Sequence, residues 1–302
     1  MSAAAFHHTP YDGSHPLFRI GLAPLDIANW IEVDEHLARY LMEKERLNHE
    51  LPQHVFAAEE GTQDAQREVL ALVSQHVTAA FPDIYRQNGN VIEIGATGRF
   101  VALDDDEQPP LLKAAMLVQE DLVLLRRDDT GWRLVAASLC FPSSWRLAEK
   151  YGQPLQEVHQ PVPGFGPGTR NAGMIERIFD NLQPDLPVWR MNWSLYSDDR
   201  LYHADRSQEH LKRLSDGITP EISFLRVEHQ TLRKLAASGF ILFTIRIHVD
   251  PLASLARHAE RRRIASGLIE SLKRLDDEQV AYKGIANGRD RLVTRLREIE
   301  CS

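Results

Sequence analysis

Cysteine is almost missing: Cys140 and Cys301 are the only two in 302 residues. Two cysteines cannot build a disulfide framework, a cysteine zinc site or an iron–sulfur cluster, and so low a content points to a reducing compartment. Long apolar runs are missing too, none approaching the about 18 uninterrupted residues of a membrane-spanning helix. The opening MSAAAFHHTPYDGSHP lacks the basic region and apolar stretch of a secretory signal, so a cytoplasmic location is expected. Positive charge is outweighed, with 35 Lys and Arg against 43 Asp and Glu and a net charge of −8. That balance argues against a dedicated nucleic-acid binder, which needs a basic surface to neutralise phosphates. There is no Gly-rich phosphate loop, no His-Glu-x-x-His and no Gly-x-Ser-x-Gly elbow. Gly166-Pro167-Gly168 neither follows a strand nor has the third glycine of a dinucleotide fingerprint. Hydrolytic zinc chemistry and α/β-hydrolase chemistry lose most of their support.

What is present suits a folded domain, with 43% hydrophobic and 26% charged residues. An amphipathic helix is expected over Asp34–His49, with Leu37, Leu41 and Met42 inward and Glu43, Lys44, Glu45 and Arg46 solvated. A second runs over Thr62–Ala80 and is stopped by Pro82. Two apolar runs, Met116–Arg126 and Trp132–Phe141, flank Asp128-Asp129-Thr130-Gly131 and read as a β-hairpin. A helical and loop stretch follows, in which Ser143 or Ser144 caps a short helix closed by Gly152, and a further helix lies near Asn171–Leu182. Strands are then expected at Val188–Tyr196, Ile222–His229 and Phe240–Val249, and helices at Leu252–His258 and Arg262–Leu275, with one more in the polar tail. Hairpin-joined strands with helices on one side make an α+β fold. The succession strand-strand-helices-strand-strand-strand is also that of a PAS domain, whose helices enclose a ligand pocket over an antiparallel sheet. The expected divisions are a flexible leader at 1–17, an N-terminal helical region at 18–110, a PAS-like core at 111–250 and C-terminal helices packed on it at 251–302.

Thirteen histidines are present. His7, His8 and His15 are close enough in sequence to bind a metal, although a disordered leader accounts for them as well. His36, His49, His54, His76, His210 and His258 read as surface residues. His159 differs, because VHQPVPGFGPG holds it in a stiff loop walled by Pro161, Val162, Pro163 and Phe165. A metal-ligating imidazole needs a fixed ring in apolar surroundings; a histidine that pins the loop by hydrogen bonding would look the same. In WRMNWSLY, Trp189, Met191 and Trp193 share one strand face and Arg190, Asn192 and Ser194 the other. The Trp face suits either a planar ligand or an ordinary core. Arg226 and Glu228 share a face of the next strand.

Taken together, VQEDLVLL, CFPSSWRLAEKYGQPLQEVHQPVPGF, WRMNWSLY, FLRVEHQTLRKLAASGFILFTIRIHVDPL and the late AYKG resemble the haem-binding alpha subunits of haem-dependent oxidative N-demethylases. The resemblance spans roughly Phe18–Gly284. It implies a PAS-like haem pocket, haem b in this chain, and oxidation by dioxygen of a small secondary amine such as dimethylamine to a primary amine and formaldehyde. It implies electrons from NADPH through a partner subunit with FMN and a 2Fe–2S cluster, and a further subunit binding tetrahydrofolate. Neither nucleic acid nor membrane is implied. It makes His159 the axial iron ligand, with Trp193 and Phe165 beside the cofactor and Arg226, Glu228 and Asn192 as catalytic candidates. His229 stands where many relatives carry arginine and His248 where they carry tyrosine. A haem PAS gas sensor, or a ligand-binding module without catalysis, is the competing class.

Overall fold

The computed structural model describes residues 6–12, 17–95, 97–204, 222–286 and 288–301. In chain order these give β1 (Ala23–Pro24), α1 (Leu37–Glu50), α2 (Pro52–Val55), β2 (Phe56–Ala58), α3 (Gln63–Ala80), β3 (Tyr85–Asn88), β4 (Val91–Ile94), β5 (Arg99–Ala102) and α4 (Pro110–Ala115). There follow β6 (Asp121–Asp128), β7 (Gly131–Ser138), α5 (Leu147–Lys150), α6 (Leu155–Val158), α7 (Arg170–Asn181), β8 (Val188–Tyr196), β9 (Phe224–Lys234) and β10 (Ile241–Pro251). The chain ends with α8 (Arg261–Lys273), α9 (Asp277–Tyr282) and α10 (Arg289–Cys301). A seven-stranded sheet has the order β1-β8-β9-β10-β6-β7-β2 and a three-stranded one the order β3-β4-β5. All pairings between these strands are antiparallel. The fold is therefore α+β, as expected.

The β6–β7 hairpin closes at Asp128–Gly131, where the Asp128 carboxylate accepts the Thr130 N–H at 2.8 Å and Gly131 takes φ +116°. Only glycine adopts that angle without strain. The large sheet is buried on both faces. Alternation along β6 sends Val123 and Leu125 towards α5–α7, and Leu122 and Leu124 towards α1, α3 and α4. At the β8–β9 end the second face carries Trp193, Leu225 and Val227 under α8–α10. The sheet thus divides the molecule into one layer built by α5–α7 and another shared by the two sets of terminal helices.

Several expectations change. The 18–110 region holds strands as well as helices, including the whole small sheet. Met116–Glu120 is not strand, because β6 begins at Asp121. Neither Ser143 nor Ser144 caps α5, which starts after Arg146. Ser144 instead sits at φ +62°, its N–H bonded to the His203 carbonyl at 2.7 Å and its hydroxyl to that of Tyr196 at 2.9 Å. The polar tail forms two helices rather than one. Phe6 and Tyr11 are buried among the C-terminal helices, so residues 6–12 pack against the domain. His15 and His210 lie outside the described residues.

On α1 the expected faces are partly exchanged: Met42 is exposed and Lys44 fully buried. Lys44 lies three residues after Leu41 and seven after Leu37, which puts it on their stripe. Its ammonium donates to the carbonyls of Ala115 (2.9 Å), Val118 (2.9 Å) and Glu120 (2.5 Å), and burial lowers its pKa. Lys44→Met would leave those buried acceptors unpaired and is expected to cost about 2–4 kcal/mol, read as an earlier midpoint in chemical denaturation.

Candidate functional site

The layer between α5–α7 and the large sheet is not filled. A cavity of about 260 Å³ lies on this face of the sheet. A second, of about 550 Å³, adjoins it and shares Ser143, Ser144, Trp145, Lys150, Val158, Val162 and Tyr282. The second is within the roughly 300–1,000 Å³ range of small-molecule and cofactor pockets.

The floor divides by strand. β10, β6 and β7 supply an apolar half through Phe243, Ile245, Val123, Leu125 and Leu134. β8 and β9 supply a polar half in which Arg190 lies opposite Gln230 and Asn192 opposite Glu228. The Gln230 amide donates to the Glu228 carboxylate at 2.6 Å. The roof is apolar: Leu155, Val162, Phe165, Ile175, Ile178 and Phe179.

His159 enters this space from the end of α6. Its N–H closes the one-turn helix on the Leu155 carbonyl at 3.0 Å, and its own carbonyl accepts from Val162 at 2.8 Å. Gly164 turns the chain back at φ +77°, and the Asn171 amide of α7 holds the Gly164 carbonyl at 3.0 Å. The loop is thus fixed at both ends, and the His159 ring lies 6.4 Å from that of Phe165. Burial, with Lys150 and Arg190 adding positive charge nearby, lowers the His159 pKa to about 4 against an opposing hydrogen bond to the Leu155 carbonyl. The imidazole is neutral at pH 7, the form that ligates a metal.

Arg190 carries the counterpart charge. Burial lowers its pKa while Glu228 raises it, and its Nε is buried without a hydrogen-bond partner among the described residues. A buried guanidinium nitrogen left so is costly, and a carboxylate entering the cavity would satisfy it. Lys150 also lines the space, its ammonium 4.1 Å from the centre of the Trp145 ring.

His159, Phe165, Asn192 and Glu228 are brought together on the cavity walls. Two candidates are not. Trp193 is on the opposite face of β8, its ring 5.8 Å from that of Tyr11 in the core under α8–α10. Strand alternation turns it away, so the polar face of WRMNWSLY meets the cavity and the Trp face meets the core. Arg226 is on the cavity side, but its donors are taken by backbone: Phe141 O at 2.8 Å and Leu201 O at 3.0 Å, with Ser143 Oγ at 3.0 Å. It braces loops rather than lining the space. Arg190, Lys150, Gln230 and Lys283 line the cavity and were not among the sequence candidates. Arg190 had a signal in its alternation with Asn192 and Ser194, and the long stretch between Ser138 at the end of β7 and Val188 at the start of β8 had to cover something.

A pocket over an antiparallel sheet, with one neutral histidine and several cationic side chains on its wall, has the kind of lining seen in small-molecule and cofactor sites. The family model for haem-dependent oxidative N-demethylase, alpha subunit-like proteins matches residues 21–293, and the chain belongs to that family. No described helix is long and apolar enough to cross a membrane.

Proposed function

We propose that the cavity binds haem b with His159 as axial iron ligand, and that the chain oxidatively N-demethylates a small secondary amine, dimethylamine being the first to test. The observation that carries this reading is the neutral imidazole on a braced loop, facing a chamber with an apolar roof and half-apolar floor in which the buried Arg190 Nε has no partner among the described residues. The donor set suits the group: an imidazole for iron, Arg190 and Lys150 for the two carboxylates, and apolar walls for the macrocycle. The strand-strand-helices-strand-strand-strand succession, with α5–α7 folded over one face, supports a PAS-like description of residues 111–250.

Bound haem supplies the redox chemistry with dioxygen. The chain's own part is positioning. Glu228 offers a carboxylate to a cationic amine and is oriented by Gln230, while Asn192 stands beside it as a neutral acceptor. Phe165 and the α7 side chains exclude water, which strengthens those contacts. Electrons are proposed to come from NADPH through a partner with FMN and 2Fe–2S, and formaldehyde to pass to a tetrahydrofolate-binding partner, in a cytoplasmic complex. The chain's two cysteines, Cys140 buried and Cys301 exposed, and its lack of a nucleotide fingerprint accord with that division.

The test is an absorption spectrum of the purified chain before and after dithionite and carbon monoxide, followed by dimethylamine titration and oxygen uptake with a reductase partner. A Soret band that shifts with each, and amine-dependent uptake, are expected. No band after haemin addition overturns the reading, and gas binding without amine turnover moves the chain to the sensor class. Since protonation competes with ligation, haem loading should hold from pH 8 to about 5 and fall as pH approaches the His159 value of about 4. A fall centred near the ordinary histidine pKa of about 6.5 would contradict the burial of that ring.

A further inference from the structure

On the face of the sheet away from the cavity, histidines from three separate segments surround one carboxylate. Glu32 follows a short 3-10 helix at Ile27–Asn29, His229 is on β9, His248 is on β10, and His7 and His8 come from the packed N-terminal segment. His8 Nε2 is 2.9 Å from Glu32 Oε1, His248 Nε2 is 2.8 Å from Oε2, and His229 Nδ1 is 3.3 Å from Oε1. Ligand atoms of His7, His8 and Glu32 all lie within 4.8 Å of one another. Donors around a tetrahedral ion with bonds of about 2.0–2.2 Å are about 3.3–3.6 Å apart, so side-chain rotations bring His7, His8 and Glu32 to bonding distance, and His248 is within reach through its 2.8 Å contact with the other Glu32 oxygen.

The surroundings have the other features of a closed structural site. The side chains of His8, Glu32, His229 and His248 are 15%, 19%, 6% and 11% exposed, whereas His7 is exposed and gives an ion its way in. The His8 ring stacks on His229 at 5.4 Å and meets His248 edge-on at 4.7 Å, so the rings are held in place. We propose that His7, His8, Glu32 and His248 bind one divalent transition-metal ion of the zinc class, with His229 holding the Glu32 carboxylate from outside. Three imidazoles and one carboxylate are a donor set that zinc accepts. The ion would clamp the N-terminal segment onto β9 and β10, on the reverse side of the sheet from the cavity, and the proposal does not depend on what the cavity binds.

Gly267 gives a test that touches no ligand. It admits the Asp12 backbone where a Cβ would overlap it, so Gly267→Ala must push the segment carrying His7 and His8 aside. The full chain, stripped with chelator, is titrated with Zn²⁺ against a chromophoric chelator and with Co²⁺ by visible absorption. One ion per chain is expected, with the strong d–d bands of tetrahedral cobalt, unchanged in His159→Ala. His8→Ala and His248→Ala should each weaken binding by more than the about 10–100-fold typical of losing an outer partner, and Gly267→Ala should weaken it too. Glu32→Gln serves as a further ligand variant should either histidine variant unfold. Binding of less than one ion, or affinity unchanged across the folded variants, overturns the site and leaves a hydrogen-bonded histidine cluster.

Discussion

His159→Ala is expected to yield a folded chain that loads haem poorly and shows less than about one-hundredth of the amine-dependent oxygen uptake, since losing an iron ligand must cost more than the 10–100-fold attached to a ligand's outer partner. The fold should survive because the loop carrying the ring is held by a backbone contact, from Val162 to the His159 carbonyl, and by the Asn171 side chain on the Gly164 carbonyl. A stability loss near 1 kcal/mol is typical of such a change. Two measurements separate ligand from loop pin. Added imidazole should enter the space the side chain leaves and restore the ligated Soret spectrum in the variant. Arg190→Ala, by contrast, should weaken haem affinity while leaving the spectrum of the loaded fraction as in the parent, because it meets a carboxylate and not the iron. Full loading and turnover in His159→Ala would end the assignment, whatever happened at Arg190.

Features set by local pattern could be read from the chain. The β6–β7 hairpin follows from one glycine, and β8 runs over the nine residues its alternation indicates, Val188–Tyr196. The histidine loop was legible because proline and glycine density announces stiffness. What could not be read was decided by packing between distant segments. Which face of β8 meets the cavity depends on α5–α7 folding over Arg190 and Asn192 and on α8–α10 covering Trp193. The pattern alone leaves the Trp face open between a planar ligand and an ordinary core, and it was the family resemblance that placed Trp193 beside the cofactor. Lys44 looks solvated by its charge, but its position on the Leu37–Leu41 stripe buries it. The small sheet escaped because its strands are four residues each, although Asn88-Gly89-Asn90, with Gly89 at φ +59°, is a hairpin signal. The cluster around Glu32 gathers residues more than 200 positions apart in sequence, and no local pattern reports that.

Arg226→Ala is expected to act on stability first and on chemistry only through it. The residue is 1% exposed. Its Nη2 donates to the carbonyls of Phe141 at 2.8 Å and Leu201 at 3.0 Å, its Nε to the Ser143 hydroxyl at 3.0 Å, and the guanidinium lies 5.5 Å from the centre of the Tyr196 ring. These groups belong to two loops that meet over the end of β8, and Ser143, Ser144 and Trp145 of the first line both cavities. Truncation leaves buried carbonyls unpaired and a void under Tyr196, together on the order of 3–5 kcal/mol, or roughly 5–10 °C in the unfolding midpoint for a chain of this size. Arg226→Lys should recover a minority of that, because an ammonium cannot reproduce the planar fork that reaches both loops. The fraction still folded should load haem with the parent spectrum and turn over amine with a raised KM, as the cavity mouth loosens. A residue acting on the substrate would behave otherwise, with an unchanged midpoint and a collapsed kcat. Thermal unfolding followed beside steady-state kinetics on the same preparation therefore decides whether this arginine braces the pocket or works inside it.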